Sequence, residues 1–481
     1  MNLAALLPRL HLRQTPGFLD VNLRAVSQNS REVGPEDLFV AIPGATVDGR
    51  RFGAGLRCAA ILAEGPVEGA IAPVLVVEDA RAALAIAAAA LAGDPARHLP
   101  VVGITGTNGK TTTSFLIEAI VEAAGQTAAV IGTTGHRVAG RARPASHTTP
   151  EAPVIQGILA EARAEGCAVA VMEVSSIGLS LRRVDALPFA VGVFTNLSRD
   201  HLDFHGTMEA YAAAKARLFR ELLAADGAAI VNGADPAAAQ MAPPADLRCW
   251  TYGIDGPYDL RATHLRLWAG GCEAQVATPA GAGTLRLQLT GLHNVENALA
   301  ALGAGLALGL PLSTCLDGLA ALRCVPGRLE EVGNPRGIKV FVDYAHTPDA
   351  LTRVLATLRP LTAGRLLTLF GCGGDRDPGK RPLMGAAACA GSDLVMVTSD
   401  NPRSEDPAAI LNDIRPGLRG EVLIELDRAA AIAALLDRAA PGDVVLLAGK
   451  GHETTQTVGG RVLPFDDRAV AAAHLRALES P

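Results

Sequence analysis

A chain of 481 residues is too long for a single hydrophobic core, and at roughly 100–200 residues per domain it should hold about three. With 49% hydrophobic, 19% charged and 4% aromatic residues, the composition excludes a disordered chain and supports large buried cores. A net charge of -6 without a long Lys/Arg block argues against nucleic acid or an anionic membrane as the main partner, while small anions can still bind at local sites.

The opening MNLAALLPRLHLRQ lacks a basic n-region and a sustained apolar h-region, so no signal peptide is expected. Residues 1–97 carry short strands in DLFVAIPG and PVLVVED and end in the Ala-rich helix ALAIAAAALAG, which is too short to span a bilayer. A cytoplasmic location is therefore expected. Pro95 and Pro100 flank a linker. From residue 101, apolar β-type runs alternate with helical patterns such as TSFLIEAIVEAAG, which Gly125 should terminate; that alternation predicts a parallel α/β sheet. Residues 255–291 switch to period-two alternation broken by Gly-rich turns, the pattern of antiparallel hairpins at a sheet edge. A second strand series, KVFVDYA, RLLTLFGC, DLVMVTSD and DVVLLAGKG, follows LRCVPGRLEEV. We expect domains at 1–97, 98–326 and 327–481. The eight cysteines form no CxxC pair and are read as reduced core thiols.

Polar and charged clusters follow directly on the apolar runs: GTNGKT after VVGIT, FTNLSRDH at the end of FAVGV, HTP after VFVDYA, GCGGDRD after LLTLF, DNPR after VMVTS and GKGHE after VVLLA. Ligands of open parallel sheets bind outside the carboxyl ends of strands. Two such rims facing each other would make one active site between domains.

GTNGKTTT resembles a phosphate-binding loop, although Ile104 stands where the P-loop pattern asks for its first glycine. Gly106 and Gly109 permit close backbone approach, Lys110 can neutralise phosphate and Thr111 can hold Mg2+ through its hydroxyl. Glu173 reads either as an oxygen ligand for Mg2+ or as a carboxylate capping the next turn. Asp200, His201, Asp203 and His205 suggest metal or phosphate chemistry, and a charged loop explains them about as well. By pattern, Lys215 in EAYAAAKARLF is one more helix-surface lysine. Arg376 and Arg403 sit at strand ends where guanidinium groups can clamp carboxylates, or they form surface ion pairs; His346 and His452 carry the same ambiguity.

Taken together, GTNGKTTT, MEVSS, NLSRDHLDFHGTMEAYAAAKARLF, GLHNVENALAA, GRLE, VDYAHTPDAL, GCGGDRDPGKRPLMG, SDNPRSEDP and GKGHE resemble the Mur ligase family in order and spacing, and the likeness begins at NSREVGPEDLFVAIPG. The resemblance implies an α/β protein with a smaller α/β N-terminal domain binding a UDP-sugar, a central P-loop-type ATPase with a mostly parallel sheet, and a C-terminal Rossmann-like domain for the incoming amino acid. It implies ATP and Mg2+ as cofactors, and a reaction in which the D-Glu carboxylate of UDP-MurNAc-L-Ala-D-Glu is phosphorylated and then attacked by an amine. Lys110, Glu173, His201 and Lys215 take the catalytic roles by this resemblance, with Thr111, Glu173, His201 and a carbamylated Lys215 holding metal. Gly106, Thr107, Asn108, Gly109, Lys110, Thr111 and Thr112 would cradle ATP with Asn294, Arg328, Asp343 and His346.

For the other substrates the resemblance points to Ser30, Thr148, Thr149, Ser175 and Arg183 on the UDP-muramoyl dipeptide. It points to Arg376, Asp400, Asn401, Pro402, Arg403, Gly449 and Glu453 on the amino acid. DNPR is the form associated with meso-diaminopimelate, whose distal carboxylate Arg403 can clamp, whereas an arginine there would repel the ammonium of lysine. Ile177, Leu181 and His147 depart from the residues common in relatives, which puts one or two hydrogen bonds to the muramoyl peptide in question. The partners implied are small molecules, with no nucleic acid and no membrane insertion, and the chain is expected to act as a monomer. A lysine-adding relative, a folylpolyglutamate synthetase-like ligase and a P-loop NTPase or kinase remain as alternatives; the segment before the linker and DNPR count against the second.

Overall fold

The computed structural model describes all residues except 14–19, 45–46, 146, 269, 335 and 479–481. Three main sheets follow one another along the chain. The first has four parallel strands, Val26–Ser27, Leu38–Ala41, Ala60–Ala63 and Val74–Val76, covered by the helix Ala80–Leu91. Asp79 starts that helix by accepting from the N–H groups of Arg81 and Ala82, and its alanines allow close packing on the sheet.

The central sheet has eleven strands. Its parallel middle runs Ala128–Gly132, Val169–Glu173, Val101–Thr105, Phe189–Phe194, Leu223–Asn232 and Arg248–Ile254. The four inner strands, from Ala128–Gly132 to Phe189–Phe194, read as near-continuous apolar runs because both faces are covered. The helices Lys110–Ala123, Leu292–Ala307 and Leu312–Ala321 enclose one core, and Ala152–Ala164 with Met208–Arg220 enclose the other. Antiparallel strands Gly271–Thr278 and Gly281–Leu287 form the far edge, as the alternation predicts. The strand before them, Leu260–Trp268, departs from that expectation by starting parallel to the end of Arg248–Ile254.

The third sheet has six strands in the order Glu330–Val332, Lys339–Asp343, Val444–Ala448, Leu366–Phe370, Leu394–Val397, Val422–Ile424, all parallel but the first. Helices on both faces close two further cores. The chain enters this region through Gly327, whose φ of 65° and close packing on the backbone of Gly451 and His452 require glycine. The eight cysteines are free: Cys167, Cys272, Cys315 and Cys372 are buried thiols, while Cys249 and Cys324 are exposed and do not fit the core reading.

Candidate active site

The buried strand Val101–Thr105 delivers the chain to the loop 106–109, from which the helix Lys110–Ala123 rises. Gly106 and Gly109 hold φ of 148° and 88°, and a Cβ would run into Thr195 Oγ1 at the first and Asn297 Oδ1 at the second. The end of the neighbouring strand Phe189–Phe194 fixes this loop from the side. Thr107 N donates to Asn196 O at 2.8 Å, Asn108 N to Asn196 Oδ1 at 2.9 Å, and Thr195 Oγ1 to Asn108 O at 2.6 Å. The loop is thus preorganised, with the positive end of a helix at its mouth. Lys110 Nζ folds back on the carbonyls of Gly106 and Thr107 at 2.8 and 2.9 Å, and burial lowers its pKa despite the nearby Glu173.

Glu173 ends its strand fully buried. Its carboxylate accepts from Thr111 Oγ1 at 3.0 Å, Thr133 N at 2.9 Å and Thr133 Oγ1 at 3.0 Å, which are all neutral donors. Gly132 leaves room for it, since a Cβ there would strike the carboxylate. Lys215 lies on the buried stripe of Met208–Arg220 with Tyr211 and Phe219, and is 1% exposed, so the surface reading is overturned. Its Nζ donates to Gly106 O at 2.9 Å and stands 4.4 Å from the Tyr211 ring centroid. Burial, then the Lys110 charge, hold its pKa well below the usual lysine range. The acidic, histidine-rich loop divides: Asp200 is buried, burial pushes His201 down to about 4, Asp203 is exposed, and His205 Nε2 meets Ser176 Oγ at 2.9 Å.

Opposite this rim stands the carboxyl edge of the third sheet. The two edges flank one cleft. Thr107, Asn108, Gly109, Lys110, Thr111, Thr148, Glu173, Ser175 and His201 line one side. Arg328, His346, Arg376, Asp400, Asn401, Arg403, Gly449 and Glu453 line the other, as the facing strand-end clusters predict. Arg403 Nη1 donates to Gly374 O, and neither Arg403 nor Arg376 forms a salt bridge among the described residues. Burial, then the charge of Arg376, lowers the Arg403 pKa. Two guanidinium groups in one cleft, without a direct carboxylate contact among the described residues, favour an anionic ligand. Pro402 sits behind them, its carbonyl packed against Gly374.

Charged and polar contacts join the rims. Asp200 lies 3.4 Å from Lys380, 3.4 Å from His201 and 3.8 Å from His346. Burial opposes its charge, but His346, Lys380 and His201 together hold its pKa well below the usual carboxylate range. Asn108 Nδ2 donates to Asp349 at 3.2 Å, and Arg328 Nη2 to Thr111 Oγ1 at 3.2 Å.

A second cavity adjoins the loop, sharing Asn108, Gly109 and Arg328 with the cleft. Thr112, Asn294 and Asp343 line it. Asn294 is oriented by Thr290 O and Asn297, and Asp343 by the N–H groups of Leu329 and Ala345. The expected UDP-dipeptide residues do not gather in one place. Thr148 and Ser175 line the cleft; Thr149 is buried behind them, donating to Glu173 O at 2.9 Å. Arg183 is paired with Glu151 at 2.5 Å and donates to Thr149 O, so its guanidinium is committed inside the protein. Ser30 lies in the turn after Val26–Ser27, outside the cleft.

Sequence reasoning missed Thr133, Thr195, Asn196, Tyr211, Tyr344, Lys380 and Lys450. Lys380 and Lys450 stand inside the quoted motifs GCGGDRDPGKRP and GKGHE, and Tyr211 stands four residues before Lys215, which is a helical signal. Thr133 carries no local signal; it lies in the turn after Ala128–Gly132, whose pairing with Val169–Glu173 brings it to Glu173.

A phosphate-type loop facing a rim of guanidinium and carboxylate groups across one cleft, in a chain of three main sheets, marks an ATP-dependent ligase, and the chain belongs to the Mur ligase family. Residues 104–305 match the Mur ligase middle domain and residues 327–451 the Mur ligase, glutamate ligase domain. A relative from Thermosynechococcus vestitus, named UDP-N-acetylmuramoyl-L-alanyl-D-glutamate--2,6-diaminopimelate ligase, is 44% identical over 99% of this chain and 98% of its own. A solved structure of a ligase of that name is 33% identical, covers 100% of both chains and superposes with a TM-score of 0.71. The MurF ligase of Thermotoga maritima in complex with ADP shares the fold at 21% identity, over 95% of this chain and 96% of its own, with a TM-score of 0.62.

Proposed function

We propose that this chain is the ATP-dependent ligase that adds meso-diaminopimelate to UDP-MurNAc-L-Ala-D-Glu in peptidoglycan precursor synthesis. One observation carries the reading: Arg376, Arg403 and Glu453 share a cleft with a phosphate-type loop. An acceptor bearing carboxylates and an ammonium can therefore meet an activated acid. On this reading residues 1–97 hold the UDP-sugar, 98–326 the ATP and 327–481 the amino acid. The enzyme acts as a cytoplasmic monomer; no described helix is long and apolar enough to cross a membrane.

A carboxylate is a poor electrophile, so the γ-phosphoryl group of ATP passes to the D-Glu carboxylate oxygen, giving ADP and an acyl phosphate. The diaminopimelate amine then attacks the acyl carbon, and the tetrahedral adduct expels phosphate as the amide forms. Lys110 turns from its loop carbonyls to the phosphates, whose charge offsets its burial. The second cavity takes the nucleoside between Asn294 and Asp343, and Arg328 and His346 approach from the opposite rim. Thr148 and Ser175 hold the muramoyl peptide near Glu173, while Arg183 keeps Thr149 in place from behind.

The donor set suits Mg2+: a buried carboxylate at Glu173 that forms no salt bridge among the described residues, the Thr111 hydroxyl beside it, and an imidazole at His201 that is neutral at physiological pH. When bound, Mg2+ would offset the negative charge of the phosphates. Lys215 is not among the residues lining the cleft, and its depressed pKa favours the neutral amine that reacts with CO2. A carbamate there would lengthen the side chain and supply an anionic oxygen donor.

Phosphate release by the purified protein with ATP, Mg2+ and UDP-MurNAc-L-Ala-D-Glu tests the proposal. Release is expected with meso-diaminopimelate and not with L-lysine or without an acceptor. Equal release with lysine would overturn the specificity, and acceptor-independent release would indicate an NTPase.

A further inference from the structure

The amino-acid rim carries a lysine that takes no part in the scheme above. Lys450 follows the strand Val444–Ala448, and its side chain is wholly buried. Its Nζ donates to Asn401 Oδ1 at 3.2 Å and to Glu453 Oε2 at 3.0 Å. Thr457 N donates to the same Asn401 oxygen at 3.0 Å. With two donors on Oδ1, the Asn401 amide can stand only one way round, and its Nδ2 donates to Glu453 Oε2 at 2.8 Å. Glu453 Oε2 is thereby saturated, while Oε1 has no partner among the described residues and Glu453 lines the cleft. One oxygen is fixed by the protein and the other is left for a ligand.

The strand ends beneath this triad are themselves pinned. Arg428 and Asp467 form a fully buried ion pair, and Arg428 also donates to Ser399 O and Ala448 O, the carbonyls just before Asp400 and Gly449. The backbone carrying Lys450 is thus held independently of the Lys450 side chain.

We propose that Lys450 is a positioning residue for the acceptor subsite: its buried ammonium locks Asn401 and Glu453 so that one Glu453 oxygen receives the distal ammonium of a diamino diacid. Substrate discrimination then depends on a residue that does not touch substrate. The inference rests on the proposed function, and the test separates the two.

Lys450→Met in the full-length chain is expected to raise the KM for meso-diaminopimelate by at least about 30-fold, as loss of one partner of a buried charge pair does. The KM values for ATP and UDP-MurNAc-L-Ala-D-Glu and the kcat should each stay within about threefold, by the same argument that the lesion is confined to one subsite. A cycle with Glu453→Gln supplies the readout that a merely structural role would not move. In the Glu453→Gln background the same Lys450 substitution should add less than about threefold, because its effect acts through the carboxylate. Should the Met variant not accumulate as folded protein, Lys450→Gln, which keeps a donor for Asn401, is measured in its place with the same expectations. An unchanged diaminopimelate KM, a parallel rise in all three KM values, or full additivity with Glu453→Gln would overturn the inference. Absence of diaminopimelate-dependent activity in the unaltered protein would instead overturn the proposed function.

Discussion

The proposed chemistry turns on two single side chains, Arg403 lining the cleft and Lys215 buried behind it. Arg403 is held at φ 54° by its N–H on Thr457 O and its carbonyl under Gly459 N. Its guanidinium lines the cleft and forms no salt bridge among the described residues. Arg403→Ala should raise the diaminopimelate KM by about 10- to 200-fold, the range for losing a charge-assisted clamp. Arg403→Lys should recover little of it, because an ammonium cannot form the planar fork. Steady-state kinetics on both variants decide the point, and a Lys variant equal to the parent would refute the bidentate geometry. For Lys215, protein equilibrated with 13C-bicarbonate should show a carbamate carbon resonance that disappears in Lys215→Arg, whose guanidinium does not react with CO2. A spectrum without that resonance in the parent would remove the carbamate from the mechanism.

At the level of elements, the helices Arg428–Asp437 and Asp467–Ala477 are tied at their first turns by the Arg428–Asp467 pair, with 2.6 and 2.8 Å bonds and no solvent exposure on either side. Breaking such a pair leaves one charge stranded in the interior. Arg428→Met alone should therefore cost about 3–5 kcal/mol in denaturant melts, while Arg428→Met with Asp467→Leu should recover most of that loss. Equal losses in the single and double variants would mean that packing, not the stranded charge, dominates. The strands and their polar ends were legible in the sequence because a parallel sheet buries both faces and leaves chemistry at the carboxyl rim. The edge hairpins after residue 270 were legible for the opposite reason, since one solvated face forces alternation. The Lys215 burial had a signal that pattern reading passed over: Tyr211, Lys215 and Phe219 recur every four residues on one helical stripe. Lys450 lay inside the GKGHE motif with Glu453 three residues on, but its bond to Asn401 reaches it only through the sheet order. Arg183 was legible as a cation, but its pairing with Glu151 depends on how two loops meet.

Across the whole molecule, the cleft exists only while the third sheet stays docked on the central one, and the seam holds ion pairs of unequal worth. Arg199 and Asp377 meet at 3.1 Å, but Arg199 is 44% exposed and the pair is worth at most about 1 kcal/mol. Asp200 and Lys380 meet at 3.4 Å with side chains 8% and 7% exposed. Removing Asp200 leaves Lys380 without a salt bridge among the described residues in a buried setting, at about 3–5 kcal/mol, enough to change a closed-to-open ratio by more than about 100-fold. Asp200→Asn should therefore enlarge the radius of gyration measured by X-ray scattering from the free protein, and Asp200→Asn with Lys380→Met should return it toward the parent value. Arg199→Ala should leave the profile unchanged, and so should 0.5 M salt, which at a Debye length of about 4 Å screens surface pairs far more than buried ones. If Asp200→Asn scattered like the parent while Arg199→Ala opened the molecule, the docked state would be held by its surface charges, and the buried Asp200–Lys380 contact would serve the cleft's chemistry alone.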